Sequence, residues 1–161
     1  KPEVTDPPAM QSLAEILSPG RCLCRAPGIS KKRLFETLAR VICDDQASLD
    51  YDTVFSQLIA REKLGSTGLG MGIAIPHCRA DNCDQPLGTL VSLEDPIDFD
   101  APDDQPVDLV FALLVPGEAH QQHLDILAGV ARLFSQASFC EQLRGASDNQ
   151  LLYELATRQT A

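Results

Sequence analysis

At 161 residues, with 44% hydrophobic and 22% charged side chains, the chain suits one globular domain with a sizeable core. Thirteen Lys and Arg against 23 Asp and Glu leave a formal charge of −10, which repels phosphate backbones and anionic lipid. That balance argues against nucleic-acid and membrane-surface roles and suits a basic protein partner.

No apolar stretch nears the ~20 residues that cross a bilayer, and no basic start leads into an apolar run. A cytoplasmic protein without direct membrane insertion is expected. Residues 1–9 carry Pro2, Pro7 and Pro8 and are expected to be a disordered lead-in or an expression remnant, with the domain over residues 10–161. The cysteines are Cys22, Cys24, Cys43, Cys78, Cys83 and Cys140. A chain of this length with no export signal points to free thiols, and the spacings lack paired C-x2-C knuckles, so no metal site is expected. They read as small buried hydrophobes.

In chain order, Leu13, Ile16 and Leu17 share a helical face, stopped by Ser18-Pro19-Gly20. A strand over 21–25 follows. Ser30 is placed to cap a helix carrying Leu34, Leu38, Val41 and Ile42. A third helix starts near Asp50, carries Val54, Leu58 and Ile59, and ends at Gly65.

The period then changes. Ile73-Ala74-Ile75 is a short apolar run closed by Pro76. Residues 90–93 and 107–115 read as buried strands. The proline- and acid-rich stretch between them, 94–108, reads as a long surface loop with Ile97 and Phe99 turned inward. Helical spacing returns over 123–134, and two capping boxes follow, Ser138-x-x-Glu141 and Ser147-x-x-Gln150. Helices before and after a central set of strands predict an α/β or α+β domain with a mixed sheet.

The segment Arg61-Glu-Lys-Leu-Gly-Ser-Thr-Gly-Leu-Gly-Met-Gly-Ile-Ala-Ile-Pro-His77 stands out. Gly65, Gly68, Gly70 and Gly72 permit close backbone approach or positive φ. They do not make a nucleotide phosphate loop, because they follow a helix and lead into a strand, the reverse of what that loop needs. His77 lies just past a short strand, behind a proline that stiffens the turn. An imidazole with an ordinary pKa near 6.5 is a neutral nucleophile at pH 7, and its bond to phosphorus stays labile enough for a second transfer.

Three ordered blocks carry a resemblance: Arg61-Glu62-x-x-Gly-Ser-Thr-Gly68 with Gly-Ile-Ala-Ile-Pro-His77, then Gln105-Pro-Val-Asp-Leu-Val-Phe-Ala-Leu-Leu-Val-Pro116, then His123-Leu-x-x-Leu. Over roughly residues 10–157 the chain resembles the IIA proteins of the bacterial phosphoenolpyruvate-dependent phosphotransferase system, of the mannitol/fructose type, and most of all their nitrogen-regulatory branch. The resemblance implies an α/β domain with a mixed, mostly parallel central sheet flanked by helices on both sides. It also implies a phosphotransferase component with a phosphohistidine intermediate at His77 Nε2, whose other ring nitrogen donates to a carbonyl or carboxylate.

In-line transfer between imidazoles works by positioning and charge neutralisation and calls for no cofactor or metal. Arg61 and His123 are the expected neutralising groups, Arg61 for its fork of donors and His123 from the start of a helix. Ser66, Thr67 and Gly68 are expected to bind phosphate through hydroxyls and backbone, and Glu62 to orient Arg61. Leu69, Met71 and Ile73 would form an apolar collar for a docking protein, although core packing suits Ile73 better. His120 reads as a surface residue. Family members commonly carry Gly where this chain has Cys78, which raises the expectation of an oxidation-sensitive site.

The implied donor is a small histidine phosphocarrier protein of the HPr kind, and the output is binding to target proteins such as transporters or kinases, switched by phosphorylation state. Two alternatives stand beside this reading. One is a fructose- or mannitol-specific IIA component passing phosphate to a membrane permease, and the other is a binding module that is never phosphorylated.

Overall fold

The computed structural model describes residues 12–118 and 120–159, so the expected lead-in over 1–9 lies outside the described residues. Two short 3-10 turns, Leu13–Glu15 and Pro19–Arg21, come first among the described residues; the first stands where a short helix was expected, and Pro19 and Gly20, expected only to stop it, begin the second. Strand β1 (Cys22–Ala26) leads to helix α1 (Lys31–Asp45), whose first turn is capped as expected by Ser30, accepting from the Arg33 N–H. Helix α2 (Tyr51–Leu64) is capped by Asp50, accepting from the Thr53 N–H, and stops at Gly65.

The strands β2 (Gly68–Gly70), β3 (Ile73–Ala74), β4 (His77–Ala80), β5 (Leu87–Ile97) and β6 (Val107–Pro116) follow, then helices α3 (His120–Phe134), α4 (Ala137–Arg144) and α5 (Asn149–Arg158). Among the described residues they form one six-stranded sheet ordered β1-β5-β6-β3-β2, with β4 also on β6. β1 runs parallel to β5, and β3 and β4 parallel to β6, whereas β2–β3 and β5–β6 are antiparallel. This is the mixed, mostly parallel sheet that was expected.

Alternation along β6 builds the core on both faces. Leu109, Phe111, Leu113 and Val115 join a cluster with Val130, Phe134, Phe139, Leu143 and Leu152 from α3, α4 and α5. Val110, Ala112 and Leu114 join the opposite cluster with Phe35, Leu38, Ile42 and Leu58 from α1 and α2. Helices therefore cover both faces. The opening turns are tied in by buried Arg21, which donates from Nε to the Gly88 carbonyl (2.9 Å), from Nη2 to that of Ile16 (3.0 Å), and from Nη1 to the Asp45 carboxylate. The outer edge of β1 is blunted where the Cys24 N–H donates to Asn149 Oδ1 (2.7 Å).

Three expectations change. β5 continues to Ile97 and pairs it with Val107 beyond an irregularity, so the surface loop starts only after Ile97; the pull is burial, since Ile97 is 4% and Phe99 0% exposed. The last two helices are not opened by their serines. Gln136 stands at the cap of α4, leaving Ser138 inside its first turn, and Asp148 caps α5 by accepting from the Leu151 N–H (2.8 Å), leaving Ser147 one residue short. Packing of the apolar faces sets where each backbone turns helical, and the cap is whichever residue then stands there. The six cysteines are free thiols as expected, with Cys22, Cys78, Cys83 and Cys140 buried.

Phe111 is fully buried, and a side chain at Gly88 would meet its ring at 2.3 Å, so the site is filled by one aromatic against a bare backbone. Phe111→Ala is expected to lower the unfolding free energy by about 3–5 kcal/mol. Urea denaturation checks this; a loss below about 1 kcal/mol would show that the core closes over the gap.

Candidate functional site

Arg61 lies in the last turn of α2, where its Nη1 donates to the Gly65 carbonyl (2.9 Å), the favourable use of a cation at a helix C-terminus. The glycine-rich stretch that follows is a hairpin of β2 and β3. Its two turn residues, Met71 (φ 59°) and Gly72 (φ 82°), both take the left-handed conformation that matches the twist of paired strands. The Met71 N–H donates to Asp103 Oδ2 (2.8 Å) and its carbonyl accepts from Arg144 Nη2 (2.8 Å), so the turn is held from both sides.

β3 and β4 are one line along β6, interrupted at Pro76. Ile73 pairs with Leu109, Ala74 with Val110, His77 with Leu113 and Cys78 with Leu114, so the register passes the proline unchanged. The Leu113 N–H donates to the Pro76 carbonyl (2.8 Å), while the Ile75 N–H donates outward to Thr67 (3.0 Å). His77 thus lies just past the short strand β3, as expected, and itself opens β4. Alternation puts Ile73 and Ile75 on the face toward α3 and Ala74, Cys78 and Ala80 on the face toward α1 and α2.

His77 shares the parity of Ile75, and His77 Nδ1 lies 2.9 Å from the Ile75 carbonyl. A carbonyl only accepts, so Nδ1 carries the proton and Nε2 keeps its lone pair. Burial of the ring, the largest cause, pushes its pKa below the usual 6.5; the Ile75 hydrogen bond opposes this, Arg61 lowers it further, and Glu62 raises it. The ring is therefore neutral at pH 7. His123 presents its ring edge-on to His77, with centroids 5.8 Å apart. The helix that carries it begins at His120, so His123 sits within the first turn rather than at its start. The side chain of His120 lies outside the described residues.

A cleft of about 420 Å³ opens beside His77, lined by Arg61, Ser66, Thr67 and Gly68 on one side and by Leu124 and Leu127 of α3 on the other. Leu69, Met71 and Leu124 are 48%, 66% and 60% exposed, whereas Ile73 is buried in the core. The hydroxyls of the cleft are engaged within the protein. Ser66 Oγ donates to the Phe99 carbonyl (2.7 Å) and accepts from the Gly68 N–H (3.1 Å), and Thr67 Oγ1 donates to Glu62 Oε1. Glu62 also accepts from the Thr67 N–H (2.9 Å) and pairs with Lys31 (2.8 Å). It fastens Thr67 and does not orient Arg61 as expected, because its carboxylate is turned into the interior and is 7% exposed. The sequence reading passed over Lys31 and saw Phe99 only as an inward-turned side chain, since no spacing links either to the glycine-rich segment. Among the described residues no group of three or more His, Cys, Asp or Glu could hold a metal ion, and no helix is long and apolar enough to cross a membrane.

Residues 15–158 match the family described as phosphoenolpyruvate-dependent sugar phosphotransferase system, EIIA 2. The chain belongs to this family. Within the EIIA 2 family it falls in the nitrogen-regulatory branch, being 46% identical over 146 residues to a nitrogen regulatory protein of Pseudomonas aeruginosa, covering 91% of this chain and 95% of that one. The crystal structure of the nitrogen regulatory protein IIA-Ntr from Neisseria meningitidis superposes with a TM-score of 0.81 at 43% identity, over 90% of this chain and 99% of that one. The mannitol IIA of Escherichia coli shares the fold, with a TM-score of 0.72 at 17% identity over 87% of this chain and 98% of that one.

Two expectations follow from the EIIA 2 site. The His77 midpoint, followed by ¹H–¹⁵N NMR, should fall below 6.5. Since folding depresses this pKa, the unfolded chain binds the extra proton, so the ring's contribution to stability is full above about pH 6.5 and is lost as pH falls through the folded midpoint. A midpoint at or above 6.5 would contradict the burial argument. Cys78 points to the opposite face, and burial pushes its thiol up to about 12. Peroxide and iodoacetamide at about pH 7.5, far below that midpoint, should therefore leave Cys78 unmodified in the native protein; labelling as fast as in urea would restore the idea of an oxidation-sensitive site.

Proposed function

We propose that this chain is a histidine-phosphorylated carrier and regulator of a nitrogen phosphotransferase system, taking a phosphoryl group onto His77 Nε2 from a small HPr-like phosphocarrier protein. The observation that carries this is the tautomer: Nδ1–H is held by the Ile75 carbonyl, which leaves the Nε2 lone pair as the nucleophile. The lone pair attacks phosphorus in line, the new N–P bond forms as the donor's N–P bond breaks, and that electron pair returns to the donor imidazole. No proton needs to move. The cationic character of the phosphorylated ring is shared with the Ile75 carbonyl through Nδ1–H.

Arg61 and His123 neutralise the phosphoryl oxygens in this reading. Arg61 shares the cleft with His77, and it gives up only a hydrogen bond to Gly65 in order to turn. Ser66, Thr67 and Gly68 shape the phosphate cradle, and either hydroxyl reaches phosphate only after leaving its present acceptor. Leu69, Met71 and Leu124 form the apolar rim on which the donor docks. Phosphorylation adds nearly two negative charges at this rim, and that change is the signal that target proteins, such as transporters or kinases, read.

Incubation with phosphoenolpyruvate and the two upstream proteins should add one acid-labile phosphate, absent from His77→Ala. Arg61→Ala should slow the transfer by about 10²–10³-fold with an unchanged circular dichroism spectrum. His123→Ala should slow transfer or shorten the life of the phosphoform. Absence of label from every donor would leave a binding module, and sugar uptake dependent on the labelled protein would favour a permease-feeding component.

A further inference from the structure

Glu62 is an awkward residue for a phosphate site. It follows Arg61 directly, its charge acts on the His77 ring, and its carboxylate holds the backbone and hydroxyl of Thr67, which lines the cleft. A carboxylate so placed repels an incoming phosphoryl dianion through a poorly screened interior. The opposing charge comes from another helix. Lys31, the first residue of α1, sets its Nζ 2.8 Å from Glu62 Oε2, donates to the Phe99 carbonyl (3.1 Å), and stands 4.3 Å above the Phe99 ring centre. The same Phe99 carbonyl accepts from Ser66 Oγ. One ammonium therefore touches the carboxylate that fastens Thr67 and the carbonyl that fastens Ser66.

We infer that Lys31 is a positioning residue for the phosphoryl transfer proposed above, cancelling the charge of Glu62 so that this carboxylate can fasten Thr67 beside the phosphate without repelling it. The inference rests on that reading of His77, but its electrostatic half is measurable without phosphate. Glu62 is 7% exposed on its side chain and Lys31 24%, so removing the ammonium leaves a buried carboxylate unpaired and its field uncancelled. Replacement of Glu62 by Gln keeps the geometry: the amide oxygen accepts the Thr67 N–H, and the amide nitrogen donates to Thr67 Oγ1, reversing one hydroxyl.

The groups facing His77 are Arg61 and Glu62 from α2 and His123 from α3. Their titration is followed by NMR in unphosphorylated protein, beside the rate of phosphoryl transfer. Lys31→Met keeps the stem over Phe99 and removes the charge; it should raise the His77 midpoint and slow transfer about tenfold. The double variant K31M/E62Q should return both toward wild type, and Lys31→Arg should match wild type throughout. Should K31M lose its fold, E62Q alone decides the coupling, because removing the negative charge must lower the midpoint. A K31M protein with wild-type midpoint and rate, or one whose slow transfer persists in K31M/E62Q, overturns the inference. If wild-type protein accepts phosphate from no donor, the carrier function fails, while the midpoints still report whether Lys31 cancels Glu62.

Discussion

The candidate site depends on the parallel pairing of two short strands with β6 across a proline. Pro76 has no N–H, so it ends the outward ladder at Ile75, yet its carbonyl still accepts from Leu113 and the register carries on to His77. Because the register holds, the alternation of side chains holds too. Ile73 and Ile75 face the α3 side, and the same parity turns His77 toward His123. The carbonyl that fixes the imidazole tautomer belongs to the residue two places earlier, in line with it. A shift of one residue at Pro76 would send the ring to the α1–α2 face, where Cys78 now packs.

Around this edge the protein spends its polar groups on holding backbone still. The hairpin that walls the cleft contains a non-glycine residue, Met71, at φ 59°, a conformation that costs of order 1 kcal/mol or more and persists because Asp103 and Arg144 grip its amide and carbonyl. Arg144 is itself paired with Asp108 and Glu141, so the grip reaches from α4 to the start of β6. Just before the hairpin on the same wall, Glu62 and the Phe99 carbonyl hold Thr67 and Ser66. A pre-set cradle of this kind suits the transfer proposed for His77, in which every group around the one nucleophile contributes position and charge. A net charge of −10 does not bar the phosphoryl group proposed for this site, which would need few cations, locally placed, in a half-buried setting.

Much of this was legible in the linear chain. Apolar periodicity located α1, with its cap at Ser30, and α2, starting near Asp50, because a helix's repeat and its first hydrogen bonds are local properties. Motif order singled out His77, Arg61 and His123, and the fold brings those three together. The glycine-rich segment was harder to read. Two-residue and three-residue strands such as β3 and β2 carry too few positions for a period, and they exist only because β6 offers an edge. The caps of α4 and α5 went to Gln136 and Asp148 for a related reason: neighbouring polar residues compete locally, and packing of Phe139, Leu143 and Leu152 settles the contest.

By itself, then, the order of residues determined the two helices that precede His77 and the apolar strands beneath it, since each rests on contacts a few residues apart, and it marked His77 as the expected nucleophile through a family resemblance. Tertiary structure decided which nitrogen of His77 stays free, that Glu62 serves Thr67 instead of Arg61, that Cys78 is sealed in the opposite core, and that Lys31 pairs with Glu62 while the Phe99 carbonyl holds Ser66. Those are consequences of strands and helices distant in sequence meeting at one sheet edge, and hydrogen-bond partners chosen at such a meeting leave no spacing in the chain to be read.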